Sequence, residues 1–148
     1  MIYTDLTERA LRLAYRAHAG QEDKAEVPYI FHPYHLAEQM TTEAAVCVAL
    51  LHDVVEDSDV TIEDIAALFP AEVTEAVQLL THDERVPYLD YIRALRANPL
   101  ARTVKLADLA HNSDESRLRE AVAKEPGTVT KRRAKYDAAR AILLGETQ

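Results

Sequence analysis

The 148-residue sequence is poor in the residues that break helices and in those that form disulfides. It contains three glycines, six prolines, one cysteine and no tryptophan. The single cysteine, Cys47, excludes an intramolecular disulfide, so nothing in the sequence indicates an oxidising compartment. We interpret Cys47 as a small buried hydrophobic residue and predict a cytoplasmic location for the protein.

Long apolar runs and an excess of positive charge are absent as well. No segment reaches the roughly 18 apolar residues that cross a bilayer, and the N-terminal segment lacks the uninterrupted apolar core of a signal peptide. Seventeen Lys and Arg face 25 Asp and Glu, which gives a formal net charge of −8. This balance argues against duplex nucleic acid as partner, and the lack of long apolar runs argues against a membrane. A metal ion in an acidic protein can still bind a small phosphate ester.

The sequence is rich in helical periodicity within an ordinary globular composition. Hydrophobic residues make up 48% of the chain and charged residues 28%, which suits one folded domain. We therefore predict an all-α fold with a single domain over residues 1–148. Residues 21–33 are predicted to form an ordered loop that ends in His32. Apolar spacing, caps and breaks predict helices at about 4–20, 34–40, 42–57, 61–68, 70–80, 87–97, 100–112 and 128–144.

Four polar residues end the long apolar helix, in the sequence HDVVED at 52–57. On a continuous helix His52 would lie above Glu56, and Asp53 above Asp57. A buried acid without a partner costs several kcal/mol, and neighbouring acids raise each other's pKa. A bound cation would remove both penalties. The alternative is a solvated helix end in which His52 is an ordinary core histidine.

A second polar set lies in VKLADLAHN at 104–112, where the apolar residues indicate a mostly buried helix. Lys105, Asp108 and Asn112 share one face of this helix. The alternative is an amphipathic helix with a polar stripe. A third feature is PYIFHP, in which His32 stands between aromatic residues and a proline.

The three segments together offer two imidazoles and two carboxylates, from His32, His52, Asp53 and Asp108. Such a set suits a divalent manganese, iron, nickel, cobalt or zinc ion, and the single cysteine excludes a thiolate site. Four protein ligands would leave positions for water on a six-coordinate ion, as a catalytic site requires.

The motifs AHAGQ, PYIFHP, LLHDVVEDSDVT and VKLADLAHNSD resemble those of the HD superfamily of metal-dependent phosphohydrolases. More narrowly, they are similar to the hydrolase domain of RelA/SpoT-type alarmone enzymes and their stand-alone small relatives. The resemblance runs from about residue 10 to residue 112. It implies an HD-type helical bundle and an enzyme that removes the 3′-diphosphate from guanosine 3′,5′-bis(diphosphate), releasing pyrophosphate.

The resemblance also implies roles for individual residues. A manganese ion would be ligated by His32, His52, Asp53 and Asp108. Glu56 and Asp57 would orient or activate the attacking water. The nucleotide substrate would be bound by Lys24, Lys105 and Asn112.

The chain departs from the family pattern in two places. Asp23 and Glu26 occupy the loop ahead of PYI, where relatives usually carry Arg-Lys before a glycine, and Leu109 replaces an arginine. An acid cannot stack on a base as a cation does, and it would repel phosphates. Two alternatives therefore stay open: a phosphohydrolase that acts on another nucleotide, and a non-catalytic nucleotide-binding regulatory module. Of the remaining histidines, His18 is predicted to be structural and His35 to face solvent or cap the short helix. His111 is predicted to support the site or pack in the core without ligating the ion, and His82, in a loop, is assigned no role.

Overall fold

The computed structural model describes residues 1–114 and 126–145, with side chains described outside 126–130. Within these ranges the protein consists of nine helices, and an isolated antiparallel bridge joins Glu22 to Pro28. The predicted all-α class is confirmed, whereas a single domain over 1–148 stays a prediction. The helices are α1 Asp5–Ala17, α2 Phe31–Glu38, α3 Glu43–Leu51, α4 Val54–Asp57, α5 Ile62–Leu68, α6 Ala71–Leu80, α7 Tyr88–Leu95, α8 Pro99–Asn112 and α9 Pro126–Leu143.

Side-chain caps begin several of these helices. The Thr4 and Thr61 hydroxyls each accept a hydrogen bond from the backbone N–H three residues later, and both form capping boxes. The Asn98 side chain caps α8, with Pro99 as the first helical residue. Such a cap satisfies an N–H that has no partner inside the helix and typically contributes about 1 kcal/mol.

Helix α3 lies at the centre of the bundle. Residues 45–51 are all buried, and the helix packs against α1, α2, α6 and α8. A helix that is covered on every side has no need of a polar face, which explains its nearly continuous apolar sequence. Cys47 lies in this helix with 0% exposure, as predicted. Among the described residues, no helix has both the length and the apolar content to cross a membrane.

Helix α2 begins earlier than predicted, so His32 lies in a helix and not at the end of a loop. Phe31, His32 and Pro33 form its first turn. The N–H groups of a first turn have no acceptor within the helix, so a proline costs nothing there. The predicted loop over residues 21–33 was therefore wrong at its C-terminal end, because Pro33 lies within the first turn of a helix instead of breaking one.

The predicted continuous helix through HDVVED is interrupted. Helix α3 ends at Leu51 and α4 begins at Val54, with the Asp53 backbone at φ −110° and ψ 1° between them. Two side chains satisfy backbone carbonyls of the short α4: Ser58 Oγ donates to Val54 at 2.7 Å, and Gln21 Nε2 donates to Asp57 at 2.7 Å. The prediction that His52 and Glu56 share one unbroken helix was wrong, since these contacts stabilise a separate turn.

Candidate metal centre

Side chains from three parts of the fold converge in the interior. His32 comes from the first turn of α2, Asp108 from α8, and His52 and Asp53 from the junction between α3 and α4. His32 is 4% exposed, His52 2% and Asp108 4%. One ligand atom each from His32, His52 and Asp53 lie within 4.8 Å of one another. Asp108 Oδ1 lies 2.8 Å from His32 Nε2. The structure thus brings together the four residues that the sequence predicts as metal ligands.

The orientation of His52 is fixed by the carbonyl of Ala49. His52 Nδ1 lies 2.6 Å from this oxygen, which can only accept, so Nδ1 carries the proton. His52 Nε2 then presents a lone pair to two carboxylates, 3.0 Å from Asp53 Oδ2 and 3.6 Å from Asp108 Oδ1. It has no hydrogen-bond partner of suitable geometry among the described residues. Three electron-rich atoms face one another, an arrangement that requires a proton or a cation between them.

The pKa values around His52 also indicate that a proton or a cation is required at this position. Burial lowers the pKa of His52, but the carboxylates of Asp53 and Asp108 outweigh burial and raise this pKa well above its usual value. Burial raises the pKa of Asp53, yet the His52 imidazole brings it down to about 2. The pocket therefore stabilises positive charge strongly at the position of His52 Nε2. A divalent cation there would supply that charge without a protonated imidazole.

Asp108 is held by two further side chains of its own helix. Lys105 Nζ donates to Asp108 Oδ2 at 2.9 Å, and Asn112 Nδ2 donates to Asp108 Oδ1 at 3.0 Å. The prediction that Lys105, Asp108 and Asn112 share one helix face is confirmed. The sequence resemblance implies that Lys105 and Asn112 bind substrate, whereas in this structure both polar groups contact the carboxylate of Asp108. Charge-assisted hydrogen bonds of this kind orient a carboxylate ligand.

Two neighbours of the cluster were not predicted to contact it in these ways. The Tyr29 hydroxyl donates a short hydrogen bond to Asp53 Oδ2, and burial together with Asp53 raises the pKa of Tyr29. His111 Nδ1 lies 2.6 Å from His32 Nδ1. Tyr29 is the tyrosine of the PYIFHP motif, so this motif could have identified Tyr29 as a neighbour of the cluster. No sequence signal distinguishes a His111 that contacts His32 from one packed elsewhere in the core.

Glu56 and Asp57 lie on α4 beside the cluster. Glu56 accepts a short hydrogen bond from the backbone N–H of His82, so the loop between α6 and α7 orients its carboxylate. Partial desolvation, followed by repulsion from Asp53 and Asp57, raises the pKa of Glu56. Desolvation and Asp53 likewise raise the pKa of Asp57. A carboxylate with a raised pKa is a stronger base than one free in water, and such groups are common at catalytic sites.

The loop between α1 and α2 contains the remaining residues of interest. Asp23 Oδ1 accepts hydrogen bonds from the N–H groups of Ala25 at 2.8 Å and Val27 at 3.1 Å, so the Asp23 carboxylate is bound within its own loop. Glu26 has φ +64°, a left-handed conformation that favours glycine. Lys24 is exposed in the turn of this loop. A cavity of about 1280 Å³ has Asp23 and Ala25 of this loop in its wall, together with His32 and His111.

The residues present fit a divalent metal ion. The donor set combines imidazole nitrogen with carboxylate oxygen, which suits borderline or hard cations. His52 Nε2 is directed into the cluster with no proton donor opposite it. His52, Asp53 and Asp108 are each oriented by a further hydrogen bond, which is typical of metal ligands.

Comparison with known proteins gives the family. Residues 10–124 match the HD domain. The chain is 37% identical over 116 residues to guanosine-3′,5′-bis(diphosphate) 3′-pyrophosphohydrolase MESH1 of Homo sapiens, covering 70% of this chain and 65% of that protein. It is 35% identical over 118 residues to the GTP pyrophosphokinase of Streptomyces coelicolor, covering 71% of this chain and 14% of that protein.

One solved structure shows the same fold over nearly the whole chain. It is described as a metazoan ortholog of SpoT that hydrolyzes ppGpp, and it matches with a TM-score of 0.64 at 24% identity, covering 98% of this chain and 95% of that chain. At this identity the likeness shows the fold alone. The chain spans less than two thirds of the curated relatives' length, 65% for the human protein. The domain match covers most of the chain, and the chain therefore belongs to the HD-domain family.

Proposed function

We propose that this protein is a divalent-metal-dependent phosphohydrolase that hydrolyses guanosine 3′,5′-bis(diphosphate) at the 3′ position and releases pyrophosphate. The observation that carries the metal-dependent chemistry is the buried convergence of His32, His52, Asp53 and Asp108, with His52 Nε2 facing two carboxylates. The substrate follows from the human relative, whose name states this activity.

The proposed ligands are His32, His52, Asp53 and Asp108, and the proposed ion is Mn²⁺. When bound, such an ion supplies a hydroxide-like nucleophile near neutral pH and offsets charge on the phosphoryl oxygens. The mixed imidazole and carboxylate set favours manganese over ions that prefer thiolates, and it also admits iron, cobalt, nickel or zinc.

Glu56 and Asp57 are the proposed catalytic residues. The hydrogen bond from the His82 N–H fixes one oxygen of Glu56 and leaves the other available to a water molecule. The raised pKa of Glu56 favours acceptance of a proton from that water as it attacks phosphorus. Asp57, whose pKa is also raised, follows Glu56 in α4 and would share this task.

Lys24, Lys105 and Asn112 are the proposed substrate-binding residues. Lys24 is exposed in the loop and can reach a phosphate from solvent. Lys105 and Asn112 contact Asp108 in the structure, so substrate contact requires each to share its donors between Asp108 and a phosphate or ribose oxygen. Both side chains have more than one N–H donor, which makes such sharing feasible.

A phosphohydrolase that acts on a different nucleotide is the second candidate. The observation that favours it is the loop, where Asp23 stands in place of a residue that could stack on a base as a cation. The hydrogen bonds from Ala25 and Val27 offset part of the repulsion that Asp23 would exert on phosphates. A non-catalytic regulatory module that binds a nucleotide is the third candidate. The cytoplasmic location and the preference for a small nucleotide over duplex nucleic acid stay predictions.

The direct test is incubation of the purified protein with Mn²⁺ and guanosine 3′,5′-bis(diphosphate), with chromatographic detection of pyrophosphate. We expect release that stops when the ion is chelated and resumes when it is restored. A protein that binds Mn²⁺ but releases no pyrophosphate would contradict the proposed substrate. A parallel panel of nucleoside 3′-phosphates and phosphorylated dinucleotides would then identify the second candidate.

The role of the acid pair is tested by Glu56→Gln and Asp57→Asn, which keep size and remove charge. We expect each to lower kcat by about 100-fold or more, the usual contribution of a general base, with Mn²⁺ affinity little changed. Asp59→Asn is the matched control, because Asp59 is an exposed acid two residues beyond the pair. Unchanged kcat in both variants would contradict their catalytic role and favour the regulatory module.

A further inference from the structure

The contact between His32 and His111 has an unusual geometry. The two Nδ1 atoms are 2.6 Å apart, the ring centroids are 4.9 Å apart, and the ring planes differ by 6°. The centroid separation equals the nitrogen separation plus the two ring radii. The imidazoles are therefore coplanar and meet edge to edge, so the contact is a straight in-plane hydrogen bond and not a stacking contact.

A hydrogen bond between two imidazole nitrogens fixes the protonation pattern of both rings. One nitrogen must donate and the other must accept, and each neutral ring carries one proton. If His32 Nδ1 donates, His32 Nε2 has a lone pair, and His111 carries its own proton on Nε2. If His111 Nδ1 donates, His32 must carry its proton on Nε2, which then points at Asp108 Oδ1 across 2.8 Å.

We propose that His111 is a positioning residue that holds His32 in the tautomer able to bind a metal ion. In the metal-binding state, His111 Nδ1 accepts the N–H of His32 Nδ1, and His32 Nε2 presents its lone pair to the ion. This inference rests on the proposed metal site and names a partner for His32. It parallels the Ala49 carbonyl, which fixes His52 in the same sense.

The proton balance of the exchange is neutral. In the metal-free arrangement His32 Nε2–H donates to Asp108, and His111 Nδ1–H donates to His32. When the ion enters, the proton on His32 Nε2 leaves to solvent, the proton between the rings moves from His111 to His32, and His111 Nε2 takes one proton from solvent. Each ring remains neutral, so binding at this position releases no net proton from the pair.

The variant that tests this role is His111→Phe, which keeps a planar ring and removes the acceptor. We expect Mn²⁺ affinity, measured by calorimetry without substrate, to fall by about 10- to 100-fold. The metal-free variant also loses the hydrogen bond between the two rings, so its melting temperature should fall while the protein stays folded, as circular dichroism will check. His111→Gln, which offers a carbonyl oxygen, should recover part of the loss. His35→Phe is the matched control, because the His35 ring lies beside His111, with centroids 4.2 Å apart.

A second measurement reads the tautomer itself. In protein loaded with diamagnetic Zn²⁺, nitrogen-15 NMR of the histidine rings should show His32 protonated at Nδ1 and His111 protonated at Nε2. Metal affinity in His111→Phe equal to that of the wild type, or a loaded His32 protonated at Nε2, would overturn the inference. Because no substrate is present, a wild type that binds the ion but fails to hydrolyse guanosine 3′,5′-bis(diphosphate) would refute the proposed substrate alone.

Discussion

Replacing Lys105 with methionine removes the cation that faces Asp108 in the interior. The Lys105 side chain is 13% exposed, that of Asp108 is 6% exposed, and Nζ lies 2.9 Å from Oδ2. Burial lowers the pKa of Lys105, but Asp108 outweighs it and raises this pKa well above its usual value. Burial raises the pKa of Asp108, yet Lys105 and the two histidines hold it well below its usual value. Lys105 and Asp108 therefore each stabilise the charged form of the other.

The expected loss of stability follows from what remains around Asp108. Removing one partner of a buried ion pair costs about 3 to 5 kcal/mol, because the other charge is left uncompensated. Asp108 would keep the amide of Asn112 at 3.0 Å and the imidazole of His32 at 2.8 Å, which places Lys105→Met at the lower end. We expect a loss of about 3 kcal/mol in the free energy of unfolding, a large share of the roughly 5 to 15 kcal/mol that a typical domain has.

Urea unfolding at pH 7 is the assay, with and without Mn²⁺. A depressed Asp pKa stabilises the fold above about pH 4, and a raised Lys pKa stabilises it below about pH 10, so both contributions are fully present at pH 7. An ion at 100 times its dissociation constant should stabilise the wild type by about 2.7 kcal/mol. It should stabilise Lys105→Met by more, because the ion also compensates Asp108.

Lys135→Met is the matched control for this experiment. Lys135 is exposed, and its Nζ lies 4.1 Å from the Tyr88 ring centroid, the same ring that Lys105 approaches at 5.8 Å. A surface cation over an aromatic ring contributes only about 0.5 to 1 kcal/mol. The reasoning is refuted if both variants unfold at the same urea concentration, or if Mn²⁺ stabilises the wild type and Lys105→Met equally.

Two further predictions concern the loop and the core. Glu26→Gly should raise the free energy of unfolding by up to about 1 kcal/mol in urea titration, because glycine tolerates the φ of +64°. The control, Ala25→Gly, should lower the free energy of unfolding. Equal effects of the two substitutions would contradict backbone strain at Glu26. Cys47 is 0% exposed, and burial raises the pKa of its thiol to about 12. Iodoacetamide at pH 8 should therefore modify Cys47 only as fast as the protein unfolds, and mass spectrometry measures the rate of modification. Native and urea-unfolded protein reacting at similar rates would contradict this burial.

Local chemistry explains why much of the fold could be predicted from the sequence. Thr61 and Asp64 form the expected capping box, and the predicted break at Asn98-Pro99 lies where α8 begins, with Asn98 as its cap. These signals lie within a few residues of the helix that they begin, so sequence alone contains them. The four proposed ligand residues could be named from motif resemblance together with the chemistry of buried acids.

The errors occurred where distant residues decide local structure. The short helix α4 that follows the break is contacted by Gln21, which donates to the Asp57 carbonyl from 36 residues away. The helical periodicity of HDVVED does not indicate that contact, so the sequence predicted a continuous helix. The partner of His111 was equally hidden, because a periodicity argument gives the direction of its side chain but not what the neighbouring helix places there. The hydrogen bond to His32 spans 79 residues.

The separation of the cluster along the chain has a kinetic consequence. His32 and Asp108 are 76 residues apart, so their contact requires the chain to close a long loop and α2 to reach α8. Long-range contacts of this kind are costly to form early, because the loop entropy is lost before other contacts compensate for it. Interactions absent from the transition state change the unfolding rate and leave the folding rate nearly unchanged. We therefore expect a bound divalent ion to lengthen the lifetime of the native state without accelerating its formation.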